Sequence, residues 1–317
     1  MKIIVTGGAG FIGNHLARKL IAEKHEVTVV DSLHPYYSPE RKEQHLREIQ
    51  KKGEFRFEKI DLLNPEVTAK LFAEVSPEAV VHLAALPGVA YSIENPLQYI
   101  DYDIKATVNV LEAAGKAQSK QVLFASSSSV YGNQSILSAF KEEDAVGRAV
   151  SPYAASKFAA ESFCHVYESM YQYQVKILRF FTVYGPWGRP DMAIASFIKK
   201  LRQGETIDIF GLGSSRDYTY IDDIINGLYL TLTQLNQSAI LNLGSGKPVT
   251  MEALLRELNL HFPCMKTAMR AERAGDVHHT WADITLAKKL IGYKPETDFS
   301  TGIQKTVCWA ENYAEYL

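Results

Sequence analysis

Cysteine is scarce: three in 317 residues, at 164, 264 and 308. Their wide spacing forms neither a metal-ligand nor a disulfide pattern, which suits a reducing compartment. No apolar window reaches the length of about 18 residues that a membrane-spanning helix needs. The opening MKIIVTGG runs from an apolar stretch into glycines and lacks the apolar core and cleavage site of a signal peptide. Charge of one sign is also missing, since 34 Lys and Arg face 36 Asp and Glu. That balance leaves no bulk basic field for nucleic acid or an anionic membrane, so any anion site has to be local. Internal repeats and low-complexity tracts are absent. These absences point to a cytoplasmic globular protein with no metal site and no nucleic-acid or membrane partner. Its 46% hydrophobic content is enough for a large core in one or two domains.

What is present is alternation. Short β-branched runs (KIIVTG, HEVTVVD, FRFEKIDL, EAVVHLAA, KQVLFASS, VKILRFFTV) alternate with longer helical patterns. The helical patterns include FIGNHLARKLIAEK, a long one ending near Gln118, and one from about Ser151 to Tyr173. A polar stretch separates HEVTVVD from Gly53. Strand–helix alternation predicts a doubly wound α/β parallel sheet with helices on both faces. Ligands bind such sheets beyond the carboxyl ends of the strands. After Val183 glycine and proline become denser and the strands shorter. Residues 1–183 are therefore expected to form the sheet domain and 184–317 mainly a smaller substrate-side region. The chain is expected to cross back to the sheet near 239–243.

Residues 3–13, IIVTGGAGFIG, place Gly7, Gly10 and Gly13 between a strand and a helix. Gly7 permits a tight turn, Gly10 lets backbone approach a pyrophosphate, and Gly13 permits close packing of helix on strand. The helix N-terminus, with Phe11 and Ile12 in its first turn, offers free N–H groups to phosphate. Asp31 ends the second strand at the spacing expected of a carboxylate that accepts both hydroxyls of an adenosine ribose. It repels a 2′-phosphate, which favours NAD over NADP in this Rossmann arrangement. Asp61, Leu62, Leu83, Ala84 and Ala85 end later strands and are expected to flank the cofactor.

Further along come ASSSSVYG at 125–132 and SPYAASK at 151–157. Tyr153 and Lys157, four apart on a helix, share a face. A neighbouring ammonium stabilises a phenolate and lowers a tyrosine pKa from about 10, making an acid/base usable near neutral pH.

With VTGGAGFIG, HLAA, SSSSVYG, SPYAASK, RFFTVYGP, RDYTYIDD and RAGDV, the whole chain resembles the extended short-chain dehydrogenase/reductases, the nucleotide-sugar epimerases and dehydratases. The resemblance implies that Tyr153 takes a proton from a sugar hydroxyl, that Lys157 binds nicotinamide ribose, and that Ser127 is the catalytic hydroxyl. It implies a UDP-sugar substrate, with Arg216 and Arg273 on the diphosphate and Asp276 on uridine ribose. It also implies a homodimer through helices at about 95–117 and 152–173.

Family dehydratases place acids directly after the catalytic hydroxyl; here Ser128 and Ser129 follow. Without that proton donor the expected reaction is C4 epimerisation. FFTVYGPWGRPDMA and GVAYSIENP look like the segments of the UDP-glucuronate 4-epimerases, with Thr182 where hexose epimerases commonly carry asparagine. Ser127, Ser128 and Thr182 are expected to hold the sugar, and Arg189 to stand near an acidic substrate. Neutral UDP-hexose, UDP-N-acetylhexosamine or UDP-xylose are the alternative substrates, and a silent dinucleotide sensor the distant one. Three places depart from the resemblance. Ala90 stands where that subfamily often has arginine, Leu86-Pro87 where it has Gln-Ala, and Asp103 where the family often has asparagine.

Overall fold

The computed structural model describes residues 1–133, 138–271, 277 and 279–317. Its strands are β1 Lys2–Thr6, β2 Glu26–Val30, β3 Arg56–Glu58, β4 Ala79–His82, β5 Gln121–Ser127, β6 Gln174–Phe180, β7 Thr182–Tyr184, β8 Thr206–Phe210, β9 Ser215–Arg216, β10 Tyr218–Tyr220, β11 Ala239–Leu243, β12 Val249–Thr250 and β13 Lys266–Arg270. Seven of them form one parallel sheet in the order β11-β6-β5-β4-β1-β2-β3. The order reverses between β4 and β1, which opens a crevice beyond their carboxyl ends.

The strands bury both faces, as their nearly continuous Val/Ile/Leu runs require. Ile3, Val5, Val81, Leu123 and Leu178 point into one core with α1 (Phe11–Ala22) and α9 (Ile221–Gln234). Their neighbours Ile4, Val80, Val122, Phe124 and Ile177 point into the other, with α3 (Pro65–Val75), α6 (Ala106–Lys116) and α7 (Pro152–Tyr171). Each such side chain contributes about 1.5–3 kcal/mol on burial. A one-residue slip of register would exchange the two cores.

The other helices are α2 (Pro39–Gln50), α4 (Val89–Glu94), α5 (Pro96–Tyr99), α8 (Ala193–Arg202), α10 (Met251–His261), α11 (Thr285–Ile291) and α12 (Phe299–Asn312). Three local readings change. The polar stretch before Gly53 contains a full helix, α2, started by Ser38, whose hydroxyl accepts from Arg41 N, and by Pro39 at its first position. The long helix ending near Gln118 is broken at Asn95-Pro96 and carries a π-helical turn over Ile100–Lys105. The apolar run after Arg179 is two strands. β6 ends at Phe180, and Thr182 opens β7, which pairs with β10 outside the main sheet. Ala239–Leu243 lies beside β6 in the central sheet. No helix among the described residues is long and apolar enough to cross a membrane.

Candidate active site

A cavity of about 380 Å³ runs across the carboxyl ends of the strands. One end is built on the glycine turn. Gly7 has φ +65°, and a Cβ there would lie 2.7 Å from Ala84 N and 2.8 Å from the Leu83 carbonyl carbon. Its bare backbone therefore lets the β4 loop pass. A Cβ on Gly13 would sit 2.2 Å from Gly7 O, so α1 packs directly on the turn. Gly10 precedes α1 as its N-cap without a side-chain cap. These three positions form a cradle with the amides of a helix start exposed to a ligand.

Asp31 follows at the end of β2, only 8% exposed. Its carboxylate accepts from Ala9 N at 3.1 Å and Leu33 N at 2.8 Å, which ties the acid to the glycine turn. Lys42 of α2 brings its ammonium to 3.9 Å from Asp31 and donates to His34 O. Nothing local in the chain marks Lys42, because a lysine in a charge-rich helix looks like any solvated one. Burial pushes its pKa down, and Asp31 opposes that shift. Phe11, Ile12, Asp61, Leu62, Leu83, Ala84 and Ala85 all line this end. The set fits an adenine dinucleotide: glycine turn for pyrophosphate, carboxylate for ribose hydroxyls, apolar walls for adenine.

At the other end, β5 stops at Ser127, whose hydroxyl caps the following turn by accepting from Ser129 N at 3.1 Å. Ser151 caps α7 by accepting from Ala154 N, and Pro152 takes its first position. That start places Tyr153 and Lys157 on the cavity wall with Ser126, Ser127, Ser128 and Ser129. Lys157 is 4% exposed and donates to Ala125 O at 3.1 Å. Tyr99 packs edge-on against Tyr153 at 6.0 Å and donates to Pro87 O and Gly88 O, joining the β4 loop to α7.

Asp103 makes a second such join. It is wholly buried in the π-helical turn and accepts from Leu86 N at 2.8 Å and Ser156 Oγ at 2.9 Å. Burial pushes this carboxyl up, and the charge of Lys157 and both donors work against that. The acid thus has compensating neighbours. His82 is a packed histidine, 1% exposed, between Thr6 Oγ1 at 2.6 Å and Thr107 Oγ1 at 3.0 Å.

Thr182, Arg189 and Arg216 line the same cavity. Thr182 N donates to Asp217 O, and Arg216 Nη1 donates to Ser215 O. Arg189 is paired within its own loop. Its Nε and Nη2 grip Asp191 at 3.0 and 2.6 Å, and Tyr36 OH donates to the same carboxylate. Burial opposes the guanidinium charge, but Asp191 and the Tyr36 and Tyr153 phenols favour it more strongly and raise its pKa. The hydrogen bonds to Asp191 use Nε and Nη2 of Arg189 and leave Nη1 out of that pair. Ala90 is exposed in α4. Arg273 and Asp276 lie outside the described residues.

The only acids lining the cavity among the described residues are Asp31 and Asp61, beyond β2 and β3. The β5 end carries hydroxyls, a phenol and an ammonium.

Residues 3–244 match the NAD dependent epimerase/dehydratase family. The UDP-glucuronate 4-epimerase of Thermodesulfobacterium geofontis (strain OPF15) is 39% identical over 99% of this chain and 97% of its own. The crystal structure of UDP-glucuronic acid 4-epimerase from Bacillus cereus, in complex with UDP-glucuronic acid and NAD, superposes with a TM-score of 0.92. It is 33% identical over 98% of this chain and 99% of that one. The UDP-glucose 4-epimerase of Thermotoga maritima, crystallised with UDP-glucose, gives 0.89 at 28% identity over 99% and 100%.

Proposed function

This chain belongs to the NAD dependent epimerase/dehydratase family, and we propose from that premise that it interconverts UDP-glucuronate and UDP-galacturonate by inversion at C4. The observation that carries the reading is the wall at the end of β5, which carries hydroxyls and an ammonium but no carboxylate among the described residues. Tyr153 and Lys157 stand beside Ser127, with no carboxylate lining that end among the described residues to protonate a leaving hydroxyl. Elimination lacks its acid there, whereas reversible oxidation at C4 needs only a base and a hydroxyl.

In this reading Tyr153 takes the proton of the C4 hydroxyl and later returns it. Ser127 holds the C4 oxygen, and Lys157 binds the nicotinamide ribose beside the phenol. NAD, when bound, would supply the acceptor for hydride from C4 and the donor for its return to the opposite face, so no net redox change would result. Gly7, Gly10 and Gly13 receive its pyrophosphate and Asp31 its adenosine ribose. Arg216 and Arg273 bind the diphosphate, and Asp276 the uridine ribose.

A uronate oxidised at C4 is a β-keto acid and loses carbon dioxide when its C5–C6 bond aligns with the carbonyl π system. Neutral donors hold the carboxylate out of that alignment without adding an acid. Ser127, Ser128 and Thr182 are assigned to this, with Nη1 of Arg189 as a further donor. The relative from Thermodesulfobacterium geofontis and the Bacillus cereus structure favour the uronate over a neutral hexose.

The domain division at 183/184, the homodimer and the cytoplasmic location belong to the same reading. Leu97 at 73%, Ile100 at 53%, Val166 at 50% and Met170 at 61% exposure support pairing through α5, the π-helical turn after it and α7. Replacing Tyr153 with Phe is expected to leave NAD bound and lower turnover by at least about 100-fold. Turnover at the wild-type rate would refute the assignment.

A further inference from the structure

The loop Gly185-Pro186-Trp187-Gly188-Arg189-Pro190-Asp191 is held far more firmly than a surface turn requires. Trp187 is 3% exposed and has φ +62°, a left-handed conformation that a bulky residue adopts only when its surroundings impose it. The surroundings are aromatic. His45 of α2 lies 5.1 Å from the Trp187 ring, Trp309 of α12 5.0 Å, Tyr313 4.8 Å and Tyr316 5.5 Å. His15 of α1 hydrogen-bonds Pro186 O at 3.0 Å.

Arg41 is the odder member. It is 3% exposed, yet no carboxylate lies within salt-bridge distance among the described residues. One donor goes to Gly188 O, the guanidinium lies 5.6 Å from the Trp309 ring, and Nε has no partner. Burial pushes its pKa down to about 10. Burying a cation without a salt-bridge partner is costly, and the longer-range charges of Tyr37 and Asp191 offset only part of it here. Here the buried guanidinium holds the carbonyl that immediately precedes Arg189. On the far side Asp191 and Tyr36 fix the guanidinium of Arg189 against Gly88, where a Cβ would meet Tyr36 OH at 2.5 Å.

We propose that Arg41 and the aromatic box around Trp187 are positioning residues for Arg189. Through it they set how the 4-keto uronate divides between return to a C4 epimer and loss of carbon dioxide. The inference rests on the uronate reading above. In the losing branch the C5–C6 bond breaks, its electron pair passes into the C4 carbonyl as an enolate, carbon dioxide leaves, and a proton adds at C5. The hydride removed from C4 would then return to the C4 ketone of the resulting pentose, so no further oxidant or reductant is needed. Loosening the loop lets the carboxylate turn into the alignment that this step requires.

The test uses the whole enzyme with its bound NAD and UDP-glucuronate, followed by proton NMR. Arg41→Met keeps the apolar stem and removes the donor; Trp187→Phe shrinks the anchor; Arg41→Lys keeps a donor. The ratio of decarboxylated to epimerised product should rise about tenfold in Arg41→Met and Trp187→Phe, equivalent to about 1.4 kcal/mol. It should return towards wild type in Arg41→Lys, with NAD content unchanged in all three. A merely structural role would lower turnover and leave the ratio alone, and that result overturns the inference. Wild-type enzyme that makes no UDP-galacturonate overturns the substrate reading instead, and the inference falls with it.

Discussion

Behind the serines at the end of β5 lies a buried ion pair whose removal can be costed. Arg179 on β6 and Glu161 on α7 are 3% and 5% exposed. Their two hydrogen bonds measure 3.0 and 2.8 Å. Arg179 also donates to Tyr131 OH and Glu142 O, and Glu161 accepts from Ser126 Oγ, one residue before Ser127. Desolvation opposes the Arg179 charge, but the carboxylate outweighs it and raises the guanidinium pKa. Glu161→Leu leaves that guanidinium buried without its partner, a cost of about 3–5 kcal/mol. At about 2.1 cal/mol/K per residue, unfolding 317 residues carries an entropy of about 0.7 kcal/mol/K. The expected drop in melting temperature is therefore about 4–7 °C. The double variant Glu161→Leu with Arg179→Met removes both charges and should recover part of the loss, because an apolar pair pays no desolvation cost. Calorimetry of wild type, both single variants and the double variant measures this. Single variants within about 1 °C of wild type, or strictly additive losses, would refute the reasoning.

His45 and His82 are held neutral by burial, each with its pKa lowered to about 3. The unfolded chain binds these protons from about pH 6.5. Their stabilisation is therefore complete above that pH and is lost as pH falls, by at most about 1.4 kcal/mol per unit for each. Melting temperatures from pH 7 to pH 5 should fall less steeply in His82→Gln than in wild type; parallel curves would refute the linkage. Gly13→Ala places a Cβ 2.2 Å from Gly7 O, which cannot be met without moving α1 off the turn. The purified variant should carry less than about a tenth of the wild-type NAD, a loss of over about 1.4 kcal/mol; full occupancy would contradict the packing argument.

The parts of the molecule that could be read in advance are those encoded within a few residues. The VTGGAGFIG turn, Asp31 one strand later and the four-residue spacing of Tyr153 and Lys157 each announce a local geometry. The alternation of strands and helices dictates the parallel sheet. What escaped depends on contacts between distant segments. Lys42, Arg41 and His45 sit on one face of a helix whose other positions are charged, so its periodicity was weak, although Ser38-Pro39 was a legible start. Asp191 neutralises Arg189 two residues away, yet only the fold shows that Tyr36 closes the cluster. The π-helical turn around Asp103 and the end of β6 at Phe180 have no local signature, since each follows from what the segment packs against.

The central claim is that hydride leaves C4 and returns to C4 within one site. Wild-type enzyme, without added NAD, should be given UDP-glucuronate in deuterated water and followed by proton NMR. The account predicts UDP-galacturonate that keeps its hydrogen at C4, with no deuterium at C4 or C5. Deuterium at either carbon, or no galacto product, would contradict it.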